Sequence, residues 1–200
     1  MSRAEAELRD HVSEVVPLDA VYATDEALLF ATERADRPLV LLAGHLDTVP
    51  PQDNMPGRIE DGWVVGLGAS DMKGGLAVMV ELACWVASER SALSCDLAFL
   101  FFVREELPGE ESALPRVFAE APLVLAADLV VMLEPTDNAI HAGCLGNLNA
   151  NLVFHGESAH SARPWQGVNA IDLAVAGLRP VVEAPRLEVE VGGLDRKSVV

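Results

Sequence analysis

The stretch LVLLAGHLDTVP, residues 39–50, changes from apolar to polar near its middle. Residues 38–43 form an apolar run that is too short for a helix and is typical of a strand buried on both faces. His45 and Asp47 follow directly, and alternate residues of an extended segment point to the same side. The stretch therefore predicts a buried strand with a pair of polar side chains at its carboxyl end.

The chain beyond this strand alternates strand and helix patterns. Residues 96–103 and 128–133 predict two more buried strands, and 73–90 repeats apolar residues at helical spacing. Shorter helices are predicted over 4–16 and within ESALPRVFAEA, 111–121. This order predicts an α/β domain with a mostly parallel sheet and helices on both faces.

The pattern of polar and apolar residues changes after Gly146. NLNANLVFHG, 147–156, alternates polar and apolar residues as a half-exposed strand does. A helix beginning near Asn169 and a strand in RLEVEVGG, 186–193, follow. We expect residues 1–145 to form the N-terminal part of a catalytic domain and residues 146–200 to begin a second domain.

Each predicted buried strand is followed by residues that a core would not contain. They are His45 and Asp47, Glu105 and Glu106, and Glu134. Asp71 lies in the glycine-rich segment GLGASDMKGG. Ligands of open parallel sheets bind at the carboxyl ends of the strands, so these side chains are expected in one crevice.

Such a crevice requires a cation, because clustered carboxylates repel one another in a low-dielectric setting. One imidazole with several carboxylates suits zinc or a similar divalent ion, and two ions sharing a carboxylate would neutralise the set better than one. Singly, His45 reads as a core histidine, Asp71 as a helix cap and Glu105–Glu106 as a solvated pair. Their joint placement at successive strand ends favours a metal site.

The acidic composition argues against one class of binding partner, nucleic acids. The chain has 31 acidic and 14 basic side chains, a formal charge of -17. Such a surface argues against a nucleic-acid partner. No signal peptide and no apolar run of membrane-spanning length is evident, so we expect a cytoplasmic protein without a membrane partner.

Four motifs resemble the M20 zinc aminopeptidase and deacylase family: GHLDTVP, GASDMKGG, the EE after the second buried strand and the EP after the third. Residues 143–171, GCLGNLNANLVFHGESAHSARPWQGVNAI, resemble the succinyl-diaminopimelate desuccinylases of that family. The resemblance implies a three-layer α/β/α zinc-peptidase-like catalytic domain. A smaller α+β, ferredoxin-like lid or dimerisation domain would follow it.

Carried over by position, the resemblance implies a site with two Zn²⁺ or Co²⁺ ions. His45 and Glu134 would bind the first ion, Glu106 the second, and Asp71 would bridge both. Asp47 would hold the His45 imidazole in the correct tautomer.

The resemblance also implies the catalytic groups. Glu105 would be the general base, and His160 would steady the oxyanion in the partner subunit of a homodimer. Arg163 is a candidate for binding a substrate carboxylate, and a structural surface arginine is an equal alternative.

The implied reaction of the whole protein is hydrolysis of N-succinyl-LL-2,6-diaminopimelate to succinate and LL-diaminopimelate, a step of lysine biosynthesis. The alternatives are acetylornithine, another acyl amino acid or a dipeptide as substrate. A non-catalytic binding protein of the same fold is disfavoured, because binding alone has no use for a base at Glu105.

The family pattern also needs a further histidine late in the chain and the rest of both domains. We therefore expect a truncated piece of a longer parent, poorly soluble and inactive by itself. The final DRKSVV, 195–200, does not continue the strand and helix pattern and fits a translated sequencing adapter.

Overall fold

The computed structural model describes residues 2–89, 93–141, 150–185, 188–191 and 194–197 of the chain. It divides into two compact units, Met1–Asn138 and Ala139–Val200. The predicted boundary at 145/146 lies within 142–149, outside the described residues.

The first unit is built on a five-stranded sheet. In chain order its strands are β1 (Asp19–Ala23), β2 (Ala27–Ala31), β3 (Leu39–His45), β6 (Asp96–Phe102) and β7 (Leu129–Met132), and their spatial order is β1-β2-β6-β3-β7. β3 runs parallel to both β6 and β7, whereas β1 pairs antiparallel with β2, and β2 with β6. The predicted parallel pairing holds for β6, β3 and β7. The prediction of a mostly parallel sheet was wrong for β1 and β2, because this hairpin was not recognised in the sequence.

Helices cover both faces of the sheet. The helices are α1 (Arg3–Val15), α2 (Gly74–Ser88) and α3 (Leu114–Glu120). One core cluster joins α1 and α2 to one face through residues such as Val12 and Met79, and a second joins α3 to the other face through Val117. β3 and β6 are buried from both sides, which explains their nearly uninterrupted apolar sequences.

β7 was predicted as a third buried strand, and this part of the prediction was wrong. Its residues Leu129 to Met132 are between 38% and 55% exposed. In the described part of the unit, β7 is the edge strand of the sheet and pairs only with β3. Its side chains therefore remain partly exposed although its sequence is apolar.

The amino ends of the parallel strands are fixed by two carboxylates, of which Asp96 is buried and Asp128 is exposed. Asp96 is fully buried, accepts a hydrogen bond from the backbone N–H of Ala35 at 3.0 Å and forms ion pairs with Arg34 and Arg37 at 3.6 and 3.2 Å. Asp128 accepts the backbone N–H of Leu39, the first residue of β3, at 2.7 Å.

Between β3 and α2 the chain forms a loop, a small hairpin and an irregular turn. The hairpin pairs β4 (Arg58–Glu60) with β5 (Trp63–Val65), and the turn spans Ala69–Lys73. α2 begins on Gly74 and Gly75, and a Cβ at Gly75 would clash with the carbonyl oxygen of Leu133. The absence of that Cβ allows the first turn of α2 to pack against the end of β7.

The second unit contains α4 (Ala170–Val182) and a hairpin of β8 (Glu188–Val191) with β9 (Leu194–Lys197). α4 begins next to Asn169, as predicted, and the Asn169 side chain caps it by accepting the backbone N–H of Ile171. The strand predicted over 147–156 is not formed at 150–156, and 147–149 lie outside the described residues. The next residue, Glu157, forms an isolated antiparallel bridge with Val168.

The sequence DRKSVV was expected not to continue the pattern, but residues 195–197 lie within β9 and residues 198–200 are outside the described part. None of the helices in the described ranges has both the length and the apolarity needed to cross a bilayer.

Candidate active site

Four segments of the first unit bring their polar side chains to the carboxyl edge of the parallel strands. β3 ends on His45, the chain after β6 carries Glu105 and Glu106, Glu134 follows β7, and Asp71 lies in the turn before α2. The parallel register pairs His45 with Phe102, so β3 and β6 end at the same level. The predicted gathering of these residues at one edge is what the structure shows.

The imidazole of His45 is the centre of the cluster and is 1% exposed. Its Nε2 atom lies 3.1 Å from Oδ1 of Asp71 and 3.8 Å from Oε1 of Glu134. Its Nδ1 atom lies 3.0 Å from the backbone oxygen of Asp47 and 3.6 Å from the carboxylate of that residue. The imidazole therefore meets acceptors at both ring nitrogens.

Asp47 contacts His45, but its carboxylate has a second set of partners that the sequence did not suggest. Oδ1 accepts the backbone N–H of Glu105 and Oδ2 that of Glu106, each at 3.2 Å. The closer contact to the imidazole comes from the backbone carbonyl. Asp47 therefore connects the end of β3 to the turn after β6.

Two groups of potential metal ligands share the histidine. His45, Asp71 and Glu134 each offer an atom within 4.8 Å of the others, and so do His45, Glu105 and Glu106. Glu105 and Glu106 thus both offer an atom close to His45, and their division into a base and a ligand stays a prediction.

Around His45 the carboxylates outnumber the one imidazole, and burial and their charges raise the pKa of two of them. Burial raises the pKa of Glu106, and the charges of Asp71 and Glu105 raise it further. Burial likewise raises the pKa of Glu134, and Asp71 and Glu105 add to the rise while His45 opposes it. Protons are therefore retained on these carboxyl groups more readily than on isolated ones.

The pKa values of His45 and Asp47 are shifted in opposite directions by their contact with each other. Burial alone would lower the pKa of His45, but the contact with Asp47 and the charge of Glu134 raise it to about 9. For Asp47, burial favours a higher pKa, but the contact with His45 and the N–H groups of Glu106 and Glu105 lower it. An imidazole nitrogen among carboxylate oxygens is a donor set that suits zinc or a related divalent cation, so the residues fit such an ion.

His160 and Arg163, the other predicted site residues, lie in the second unit. Nδ1 of His160 accepts the backbone N–H of Ala162 at 3.0 Å, and its carbonyl accepts that of Arg163 at 2.7 Å. Both side chains are exposed. This tight turn presents both groups to solvent, and their roles stay predictions.

Sequence reasoning missed two contributors to the site's geometry. Gly75 was seen only as part of a glycine-rich segment, whose tight packing against Leu133 the motif could have indicated. Glu26 pairs with Arg104, directly before Glu105, and no sequence signal links residues 78 positions apart.

The chain is similar to known proteins in sequence and in fold. A model of the peptidase family M20/M25/M40 matches residues 41–193. A succinyl-diaminopimelate desuccinylase from Corynebacterium glutamicum is 40% identical over 174 residues, which are 87% of this chain and 47% of that protein. A probable carboxypeptidase from Aspergillus flavus is 32% identical over 180 residues, covering 83% of this chain and 40% of that protein.

Among solved structures, a tripeptidase from Staphylococcus aureus matches with a TM-score of 0.57 at 20% identity, over 93% of this chain and 56% of that one. At this identity the likeness concerns the fold alone. The chain spans about half the length of the curated relatives it matches. The family match extends over most of the chain, from within β3 to the segment between β8 and β9, and the chain therefore belongs to the peptidase family M20/M25/M40.

Proposed function

We propose that the whole protein is a dizinc amidohydrolase that hydrolyses N-succinyl-LL-2,6-diaminopimelate. The observation that carries this proposal is the buried His45 surrounded by carboxylates from three further segments at the carboxyl edge of the sheet. Hydrolysis of an unactivated amide is a reaction for which such a site is suited, because bound zinc or cobalt ions polarise the carbonyl and acidify water.

The residues divide into two ligand groups. His45 and Glu134 would hold the first ion and Glu106 the second, and Asp71 would be shared between them. The 3.1 Å approach of Asp71 to His45 supports the first group, and the place of Glu106 in the second donor group supports the second. The sharing of Asp71 between the two is proposed from the family resemblance of the sequence. Asp47 keeps the imidazole oriented from the Nδ1 side.

Glu105 transfers the proton. Its carboxylate accepts a proton from the attacking water and returns it to the nitrogen of the leaving amine, so that succinate and a free amine are released. Its position beside Glu106, with its backbone N–H bonded to Asp47, supports this role.

The substrate is proposed from the relatives. The 40% identity to the Corynebacterium protein, named a succinyl-diaminopimelate desuccinylase, supports the succinyl substrate. With that substrate the whole protein would act in lysine biosynthesis, in the cytoplasm. Arg163 pairs with a substrate carboxylate, and His160 stabilises the oxyanion from the partner subunit of a homodimer. Their exposure on one short turn is compatible with both roles.

A second candidate is the same hydrolysis on a peptide or another acyl amino acid. The 32% identity to the Aspergillus protein, named a probable carboxypeptidase, favours it. The two candidates share the metal site and differ in the acyl group they accept.

The test is a substrate comparison on the product of the complete gene. The protein is stripped of metal, reloaded with Zn²⁺ and assayed with succinyl-diaminopimelate, N-acetylornithine and a dipeptide. We expect the highest kcat/KM on the succinyl substrate and no turnover after chelation. Higher kcat/KM on the dipeptide would establish the second candidate, and chelator-resistant turnover would contradict both.

A further inference from the structure

The turn between β6 and the Glu105–Glu106 pair has an unusual residue at its start. Arg104 adopts a positive φ of 65°. A side chain with a Cβ is disfavoured in this region, which glycine, asparagine and aspartate adopt more readily. An arginine at this position therefore suggests that its side chain has a use that offsets the backbone cost.

One side of the turn is bound by Asp47. The successive N–H groups of Glu105 and Glu106 both donate to its carboxylate, at 3.2 Å each. Successive N–H groups converge on one anion where residues of right- and left-handed conformation alternate, and the positive φ of Arg104 directly precedes them. The conformation of Arg104 and the bonds to Asp47 thus depend on one another.

The other side of the turn is bound by Glu26. The guanidinium of Arg104 pairs with the carboxylate of Glu26, and the backbone carbonyl of Glu26 accepts the N–H of Val103 at 3.0 Å. Glu26 is itself fixed in the β1–β2 turn, where its N–H donates to Oγ1 of Thr24 at 3.2 Å. The side chains of Arg104 and Glu26 are 34% and 21% exposed, so the pair is partly shielded from water.

Within the described residues, Glu26 is the side chain that Arg104 binds. The Nε atom of Arg104 is buried and has no hydrogen-bond partner there. The connection between the turn and the β1–β2 hairpin therefore depends on this ion pair and on the backbone bond at Val103.

We propose that the Arg104–Glu26 ion pair is a positioning device that holds the Glu105–Glu106 turn against Asp47. Among the described residues, neither side chain forms a hydrogen bond or ion pair with the side chains clustered around His45, so both act through the backbone of the turn. That the two positioned carboxylates serve metal binding and proton transfer rests on the proposed function, whereas the holding of the turn does not.

The test uses amide hydrogen exchange, measured by NMR on the metal-free product of the complete gene. The variants are Glu26→Gln and Arg104→Ala, the double variant, and Arg104→Lys, which keeps both the Cβ and the charge. Glu26→Gln and Arg104→Ala should each speed exchange at the amides of Glu105 and Glu106 roughly tenfold, with core amides of β6 unchanged. The double variant should do no more than either single one, and Arg104→Lys should retain most of the protection.

Asp25→Asn is the matched control, because Asp25 lies in the same hairpin turn, is exposed and pairs with Arg116 at 3.6 Å. Its exchange pattern should equal that of the parent chain. Unchanged exchange at Glu105 and Glu106 in the first two variants would overturn the proposal. An equal rise at the core amides would overturn it too, because that result indicates general destabilisation.

A second readout connects the device to the proposed function. Co²⁺ affinity, followed through visible absorption, should fall in Glu26→Gln and Arg104→Ala and stay unchanged in Asp25→Asn. If the protein without any substitution binds no Co²⁺, the proposed metal site is wrong, while the exchange data still decide the positioning role. If Co²⁺ binds equally in all variants while exchange responds, the turn is held but is not needed to bind the ion, which overturns the link to the site.

Discussion

Nε2 of His45 lies 3.1 Å from Oδ1 of Asp71, although 26 residues separate them in the chain. The imidazole comes from the end of a buried strand and the carboxylate from the irregular turn before α2. The contact depends on how closely α2 approaches the sheet, which Gly75 makes possible.

Replacing Asp71 by asparagine should weaken metal binding at both proposed positions. The amide is a poorer ligand for zinc than the carboxylate, and one of the few acceptors near Nε2 of His45 loses its charge. We expect affinity for Zn²⁺ to fall by at least roughly 10–100-fold, measured by calorimetric titration. Asp61→Asn, in the exposed hairpin turn, is the control and should bind zinc as the parent does.

The neighbouring substitutions Glu105→Gln and Glu106→Gln should have different effects. Glu105→Gln should reduce kcat of the complete gene product by about 10²–10⁴-fold with its zinc content retained, because a glutamine cannot accept the proton. Glu106→Gln should lower the zinc content, measured by atomic absorption. Loss of zinc in Glu105→Gln with retention in Glu106→Gln would reverse the two assigned roles.

Gly75→Ala should destabilise the chain and disturb the site. Overpacking against the carbonyl of Leu133 costs about 1–3 kcal/mol, whereas the better helix propensity of alanine returns at most about 1 kcal/mol. We expect a net loss in the free energy of unfolding, measured by urea denaturation, with weaker zinc binding. Gly109→Ala, where a Cβ meets no atom within 4 Å, is the control; equal stability of both variants would contradict the clash.

Asp96→Asn should reduce stability in a pH-dependent manner. Burial favours a raised pKa, but the backbone N–H groups of residues 35 and 37 and the charges of Arg34 and Arg37 lower the pKa of Asp96. A lowered folded pKa contributes stability that is fully present above the ordinary pKa, about 3.9, begins to decline there and is lost as the pH falls further through the lowered folded pKa. The variant should therefore be about 1–3 kcal/mol less stable at pH 7, in urea denaturation.

Towards pH 3.5 the difference between Asp96→Asn and the parent chain should shrink. Asp10→Asn, at an exposed ion pair with Arg9, should show little difference at any pH and serves as the control. A difference at Asp96 that is constant between pH 7 and 3.5 would contradict a contribution from its charge.

The strands and helices with strong periodic patterns were predictable. The apolar runs of β3 and β6 and the helical spacing of α2 gave these elements nearly to the residue, because burial on both faces and an amphipathic or apolar helix leave direct patterns. β1 and β2 were missed, since their pairing is fixed by a turn at Thr24 and by partners far along the chain. The exposure of β7 was missed because an apolar sequence does not reveal which strand lies at the edge.

The candidate site was predictable as a set of residues but not as a set of contacts. Their positions at strand ends were enough to bring His45, Asp71, Glu106 and Glu134 together. The sequence did not indicate that the carboxylate of Asp47 binds the backbone of the turn after β6, or that Glu26 holds that turn through Arg104. Both relations join residues far apart in the chain through backbone geometry that no motif encodes.

Asp96 and Asp128 have a consequence for how the sheet tolerates the loss of ions. At the rim where the parallel strands start, these carboxylates are compensated by guanidinium and N–H groups of the chain itself. At the opposite rim the chain compensates Asp47 through the N–H groups of Glu105 and Glu106, but the carboxylates of Asp71, Glu106 and Glu134 have His45 as their shared neighbour and would depend on the proposed ions for the rest. Chelation should therefore loosen one rim of the sheet while the other stays anchored, so that apoprotein and loaded protein differ in local order rather than in fold.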